Sequence, residues 1–289
     1  MTNGYDIAQV FPSVRIVVVG DAIGDEAIYA TAAGISAETP TIVARYERRE
    51  STLGGAALVV RNLEALGVQH KFLTTPRDCC MIKRRYWVDG YKLLQIDEDW
   101  TGALDDAERE RCVDARLTDS ITEADVVIVA DYRHGLLTRP LAERIVGECH
   151  VQNKTLFVAS QMSQNAGNHE WYTGADVFVL NEREARDVID RLGRVQVLRA
   201  RSAVVVTRGA LGADVCTDAG TQHVAAIELG DGAVDTCGAG DAFIAMLAAT
   251  WNSLGVDKAV RMANVWAGLA CLTRGPNPPT LGDFLERMV

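Results

Sequence analysis

Five short runs of this chain are apolar almost from end to end and rich in β-branched residues: 14–19, 126–130, 156–159, 177–180 and 204–207. A strand with water on one face alternates polar and apolar residues. A strand that stays apolar is covered on both faces, as happens in a parallel sheet enclosed by helices. Segments with helical patterning lie between the runs, at 55–66, 105–117, 139–152 and 182–192. This alternation predicts a doubly wound, mostly parallel α/β sheet, which binds its ligands beyond the carboxyl ends of the strands. Asp131, Asn181 and Thr207-Arg208-Gly209 fall at or just past such ends.

Two segments have a different period. Residues 41–48 alternate, and residues 83–96 read as a hairpin turning at Asp89-Gly90, a pair suited to a type I′ connection. They form either a small half-exposed sheet, with strands at about 41–49 and 83–97, or an edge extension of the main sheet. A further hairpin, 213–227, turns near Asp218-Ala219-Gly220. The 289 residues suit one large domain spanning 1–289. With 29 basic and 39 acidic residues the net charge is −10, which argues against nucleic acid or anionic membrane as a partner. The seven cysteines contain no C-x-x-C pair, so reduced thiols in a cytoplasm are expected. No run approaches the ~20 apolar residues of a membrane span, and the amino terminus lacks a signal-peptide pattern.

The chemistry concentrates at Asp235-Thr236-Cys237-Gly238-Ala239-Gly240-Asp241, ahead of a nearly all-apolar segment, 242–251. That segment reads as a buried helix. Glycines at its mouth let backbone N–H groups approach a ligand, and the helix dipole adds positive potential, so the arrangement is an anion site. Asp241 beside an anion makes sense as a base for a hydroxyl that attacks phosphate. The plain alternative is a helix cap. There is no Walker A pattern and no G-x-G-x-x-G after the first strand.

Asp-Thr-x-Gly-Ala-Gly-Asp-Ala-Phe resembles the carboxyl-terminal signature of the ribokinase-like (PfkB) sugar kinases. Leu53-Gly54-Gly55-Ala56-Ala57 is similar to their Gly-Gly signature, Asn181-Glu182-Arg183-Glu184 to their Asn-x-x-Glu motif, and Thr207-Arg208-Gly209 to their Thr-x-Gly strand. The resemblance implies a kinase with a β-sheet lid, often paired with a second subunit's lid, hence a homodimer. It implies ATP as donor, Asp241 as base, and Gly238, Ala239 and Gly240 as the anion hole. Gly54 and Gly55 would contact the sugar, Asn181 and Glu184 would organise Mg²⁺ through water, and Thr207, Gly209 and Asn264 would line the nucleotide site. Asp235 and Thr236 would hold a monovalent cation such as K⁺, as in some relatives.

Within that family, Gly20-Asp21 with Asp25, then Ile35-Ser36-Ala37-Glu38-Thr39-Pro40, and Asp131-Tyr132-Arg133-His134-Gly135, resemble the heptose-7-phosphate kinases. Asp21, Asp25 and Asp131 are the expected sugar contacts, because carboxylates accept several hydroxyl hydrogen bonds. Lys83, Arg85 and Arg133 are the expected partners of a sugar phosphate. The chain departs from that group in lacking a segment of about twenty residues between Pro76 and Lys83. It also has Ala159-Ser160-Gln161-Met162-Ser163-Gln164 where that group carries Asp-Pro-Lys, and it has no fused nucleotidylyltransferase domain. Kinases of ribose, fructose, ketodeoxygluconate or a nucleoside, and a non-catalytic regulatory homologue, are the alternatives.

Overall fold

The computed structural model describes residues 11–75, 80–98, 105–162, 167–193, 200–228, 233–273 and 275–288. The segment shortened after Pro76 and the pair Ser163-Gln164 fall outside these residues. The main sheet has eight strands: β1 (Arg15–Gly20), β4 (Gln69–Leu73), β7 (Val126–Asp131), β8 (Thr155–Ser160), β9 (Val177–Asn181), β10 (Ala203–Thr207), β11 (Ala213–Thr217) and β12 (Gly220–Val224). Their spatial order is β12-β11-β10-β9-β8-β7-β1-β4. The pairs from β4 to β10 are parallel, and the hairpin β11–β12 closes one side antiparallel.

The continuous apolar strands now have a physical account. In β1, Ile16 and Val18 enter one hydrophobic core, while Val17 and Val19 enter another on the opposite face. β7 divides in the same way, with Val126, Ile128 and Ala130 on one side and Val127 and Val129 on the other. The first core is covered by α1 (Ala56–Ala65), α5 (Ala239–Leu254), α6 (Val256–Ala270) and α7 (Leu281–Met288). The second is covered by α2 (Asp106–Glu123), α3 (Arg139–Val151) and α4 (Glu182–Leu192). Strands β1 and β7 approach closely at Gly20, where a Cβ would stand 2.1 Å from the Ala130 carbonyl oxygen.

A second sheet of four strands, separate from the first, has the order β3-β2-β5-β6. It is built from β2 (Ala22–Ile35), β3 (Ile42–Gly55), β5 (Met81–Val88) and β6 (Tyr91–Glu98). Asp89 (φ 49°) and Gly90 (φ 78°) make the expected turn between β5 and β6. The sheet is therefore not an edge extension of the main one. Strand β2 has no clear period in the sequence, because Ala and Gly make up half of Ala-Ile-Gly-Asp-Glu-Ala-Ile-Tyr-Ala-Thr-Ala-Ala-Gly-Ile. Consequently Asp25 lies on a strand of the small sheet rather than in a loop after β1.

Helices α1 and α6 are tied by a buried polar contact. The Trp266 indole N–H donates to Asn62 Oδ1 at 2.8 Å, and Asn62 Nδ2 donates to the Leu58 carbonyl at 2.8 Å. Both side chains are almost fully buried. Trp266→Phe strands the Asn62 oxygen away from water, which costs roughly 1–3 kcal/mol beyond any packing loss. Urea unfolding of the ligand-free protein should show a lower midpoint with an unchanged slope.

Candidate active site

Helix α5 begins two residues after Cys237, at Ala239. Gly238, its cap, sits at φ 83°, and a Cβ there would come within 2.6 Å of Leu58 Cδ2. Gly240 is different: it is helical, and a Cβ built on it meets nothing within 4 Å. Nothing inside the protein excludes a side chain at Gly240, so its bareness leaves open space over the first turn of α5. The Ala239 N–H of that turn donates to the Thr236 carbonyl at 3.3 Å, and the bare backbone at Gly240 faces the space together with the positive end of the helix dipole. The preceding loop is fixed by Asp235, whose Oδ1 accepts from the Cys237 N–H (2.9 Å) and whose Oδ2 accepts from the Gly275 N–H (3.0 Å). Arg61 of α1 holds the next turn, donating to the Pro276 carbonyl at 3.1 Å.

Asp241 projects into a cleft of about 290 Å³ lined also by Glu184, Asn181, Thr207, Thr236 and Tyr132. Burial raises its pKa to about 7, although a hydrogen bond from the Tyr132 hydroxyl acts in the opposite direction. Glu184 is likewise raised to about 7 by burial, against the N–H donors of Asn181 and Met162. Asn181 caps α4 in a reciprocal box: Glu184 N–H donates to Asn181 Oδ1 and Asn181 N–H to Glu184 Oε2, both at 2.9 Å. A buried carboxylate held near neutrality is a site that a divalent cation would relieve. Among the described residues no cluster of three or more His, Cys, Asp or Glu could cage a metal. The buried Glu184 carboxylate at the cleft suits a cation such as Mg²⁺ that keeps waters and phosphate oxygens as most of its ligands.

An adjoining cavity of about 600 Å³ shares Thr207, Thr236 and Gly240 with the cleft and continues to Gly209, Phe243 and Asn264. It is mostly apolar and large enough for a purine nucleoside. Asn264 is anchored there by its own amide, which donates to the Val224 and Ala225 carbonyls at 3.0 and 3.1 Å.

Two of the three carboxylates expected to meet the sugar, Asp21 and Asp131, are instead buried and bound by the fold. Asp21, 2% exposed, accepts the N–H groups of Tyr132 (3.1 Å), His134 (3.4 Å) and Leu136 (3.1 Å). Burial and the neighbouring Asp131 raise its pKa to about 6, moderated by those three donors. Asp131, 1% exposed, accepts from the Arg133 N–H, Asn168 Nδ2 and the Tyr172 hydroxyl at 2.9, 2.9 and 2.8 Å. Arg133 has φ 63°, and its guanidinium lies over the Trp171 ring, 5.6 Å from the centroid.

The lid charges are paired. Arg85 donates to Asp25 Oδ1, and in the strand register Lys83 stands between Asp25 on β2 and Asp97 on β6. This face looks toward the helix mouth, because the thiol of Cys237 senses Arg85 and Asp25 as well as Asp235 and Asp241. Gly54 and Gly55 end β3 at the start of α1, where Gly55 (φ 63°) has no room for a Cβ beside the Asp21 carbonyl. The sequence reading gave no role to Tyr132. Its position immediately after a strand end, beside Asp131, was the available signal.

A glycine-mouthed helix bearing a buried carboxylate, set against a nucleoside-sized cavity and a β-sheet lid, defines a small-molecule kinase. The chain belongs to the pfkB family of carbohydrate kinases, whose family model matches residues 100–281. A bifunctional protein HldE from Paramagnetospirillum magneticum is 28% identical over 88% of this chain, which spans only 59% of that relative. A D-beta-D-heptose 7-phosphate kinase from Bordetella bronchiseptica is 27% identical, covering 96% of this chain and 97% of its own length. The fold is that of Arabidopsis thaliana ribokinase complexed with ribose and ATP (TM-score 0.70, 15% identity, 94% of this chain and 98% of that one).

Asp241 binds its proton more tightly in the folded chain, with a pKa of about 7, than at its ordinary value of 3.8. Its contribution to stability is complete below about pH 4 and is lost as pH rises through about 7. Asp241→Asn should therefore raise the Tm of the ligand-free protein more at pH 8 than at pH 5. Melting curves at the two pH values check this, and an equal shift at both would mean that the carboxyl is not held in its neutral form.

Proposed function

We propose that the chain transfers the γ-phosphoryl group of ATP to a hydroxyl of a sugar phosphate, a heptose 7-phosphate in particular. The observation that carries the chemistry is Asp241 beside the bare Gly240 on the first turn of α5. In this reading the acceptor hydroxyl approaches Asp241, which orients it and takes its proton. The N–H groups of Gly238 and Gly240 stabilise charge on the transferring phosphoryl group, each such donor being worth ~3 kcal/mol, while those of Cys237 and Ala239 are bound to Asp235 and to the Thr236 carbonyl. Glu184 and Asn181 would hold Mg²⁺ through water, where it would supply positive charge to the phosphate oxygens. The adenosine end occupies the cavity bounded by Thr207, Gly209 and Asn264, and Asp235 and Thr236 would hold K⁺.

The heptose assignment is supported by the matched Bordetella bronchiseptica relative and by the segments around Asp21, Asp25 and Asp131. Here Asp21 and Asp131 act by shaping the floor of the sugar site, while Asp25, Gly54, Gly55, Lys83, Arg85 and Arg133 flank the acceptor. One observation favours a second reading, a neutral sugar or nucleoside as acceptor. The lid face toward the helix mouth has no surplus of positive charge, since Arg85 is paired with Asp25 and Lys83 lies between two carboxylates. The exposed Ile35 (75%), Tyr46 (63%) and Tyr91 (73%) on the lid support its pairing with the lid of a second copy. The chain is read as one kinase domain with this lid, working in a cytoplasm. No helix among the described residues is long and apolar enough to cross a membrane.

ATP consumption against a panel of sugars and their phosphates tests the assignment. Turnover only with heptose 7-phosphate is expected, and equal turnover with the unphosphorylated sugars favours the second reading. Asp241→Asn should lower kcat by ~10²-fold or more. Lys83→Ala and Arg85→Ala should raise KM for a sugar phosphate roughly ten- to a hundredfold and leave KM for ATP nearly unchanged. Unchanged KM values for both ligands would remove the lid from acceptor recognition.

A further inference from the structure

Tyr132 is the only side chain among the described residues whose hydroxyl is hydrogen-bonded to Asp241. It arrives from the opposite half of the chain, 109 residues away, on the loop after β7, and donates to Asp241 Oδ1. That loop is not free to choose its path. Asp21 binds its N–H groups at Tyr132, His134 and Leu136, so the backbone is pinned at both ends of the turn that presents the phenol.

We propose that Tyr132 is the positioning residue for the base: it holds Asp241 Oδ1 so that the other carboxylate oxygen faces the acceptor hydroxyl. The proposal rests on the reading of Asp241 as that base. Two physical effects follow from one hydrogen bond. A carboxylate on the first turn of a helix can rotate about its side-chain torsions, and a half-buried donor selects one orientation. A donor also stabilises the charged form and so lowers the pKa of a carboxyl that burial would otherwise carry higher. The phenol remains protonated because burial and the Asp241 charge raise its own pKa well above the usual value. It is therefore a donor throughout the working pH range and does not compete as a base.

The other titratable groups around this pair are few. Glu184 faces it from the start of α4, Cys237 from the loop before α5, and the Asp25–Arg85 pair from the lid, beyond Cys237. All except Arg85 are acidic groups that would raise the Asp241 pKa when ionised, so Tyr132 is the nearby side chain acting in the other direction.

The test uses kcat/KM for the sugar acceptor at saturating ATP, which reports the base before the acceptor binds. In Tyr132→Phe the acid limb of this profile should move up by ~1–2 pH units, the equivalent of one lost charge-assisted hydrogen bond. Turnover at pH 7 should fall about tenfold or more, with KM for ATP within about twofold of the parent. Incorporation of 3-fluorotyrosine at position 132 keeps the shape but makes the phenol a stronger donor, and should move the acid limb down. This second variant reads the same bond if the phenylalanine variant fails to fold. Acid limbs unmoved in both variants, with Asp241→Asn inactive, overturn the role of Tyr132 alone. Retained turnover in Asp241→Asn overturns the base itself, and Tyr132 with it.

Discussion

The carboxylate of Asp21 has no water to face and three backbone N–H groups to bind. Much of the site geometry depends on that exchange. A buried carboxylate without partners would simply protonate, and with them it fixes the turn after β7 in one conformation. The adjacent Asp131 does similar work one step deeper, gathering Asn168 and Tyr172 from the chain after β8. The parallel sheet brings both aspartates to neighbouring strand ends, because β1 and β7 pair with Gly20 opposite Ala130. The absence of a side chain at Gly20 permits that approach.

Above this floor the cleft concentrates acidic groups that the fold holds away from water. Asp241 and Glu184 both sit near pH 7 in their protonation, and neither has a basic side chain hydrogen-bonded to it among the described residues. Such a cleft is electrostatically unfavourable when empty. In the proposed reading a divalent cation brings the compensating charge, while the open space over Gly240 and the dipole of α5 provide the fixed positive potential. The lid differs, because its charges are already paired with one another. A phosphorylated acceptor must therefore compete with Asp25 for Arg85, and that competition makes the identity of the sugar a question about the lid rather than about the catalytic loop.

Much of this was legible in the sequence. The runs at 14–19, 126–130, 156–159, 177–180 and 204–207 are all strands of the main sheet, since only burial on both faces explains unbroken apolarity. The helix mouth at Gly238 to Asp241 was readable from its spacing, whereas Asn181 and Glu184 were singled out only as a family motif and their capping box was not foreseen. Strand β2 was not, because its small residues carry neither period and its pairing comes from the long partner β3. The directions in which Asp21 and Asp131 point were hidden for another reason. A carboxylate at a strand end serves a ligand or a loop backbone equally well, and only the path of the following chain decides. Tyr132 escaped notice because its partner is 109 residues away, beyond the reach of any local pattern.

The central claim is that Asp241 is a buried base poised between its two protonation states by burial and by the chain's own donors. A ¹³C NMR titration of its side-chain carboxyl, assigned by the signal missing from Asp241→Asn, measures this directly in the ligand-free protein. The account predicts a midpoint close to 7. A midpoint near the ordinary 3.8 would show a solvated helix cap and contradict it.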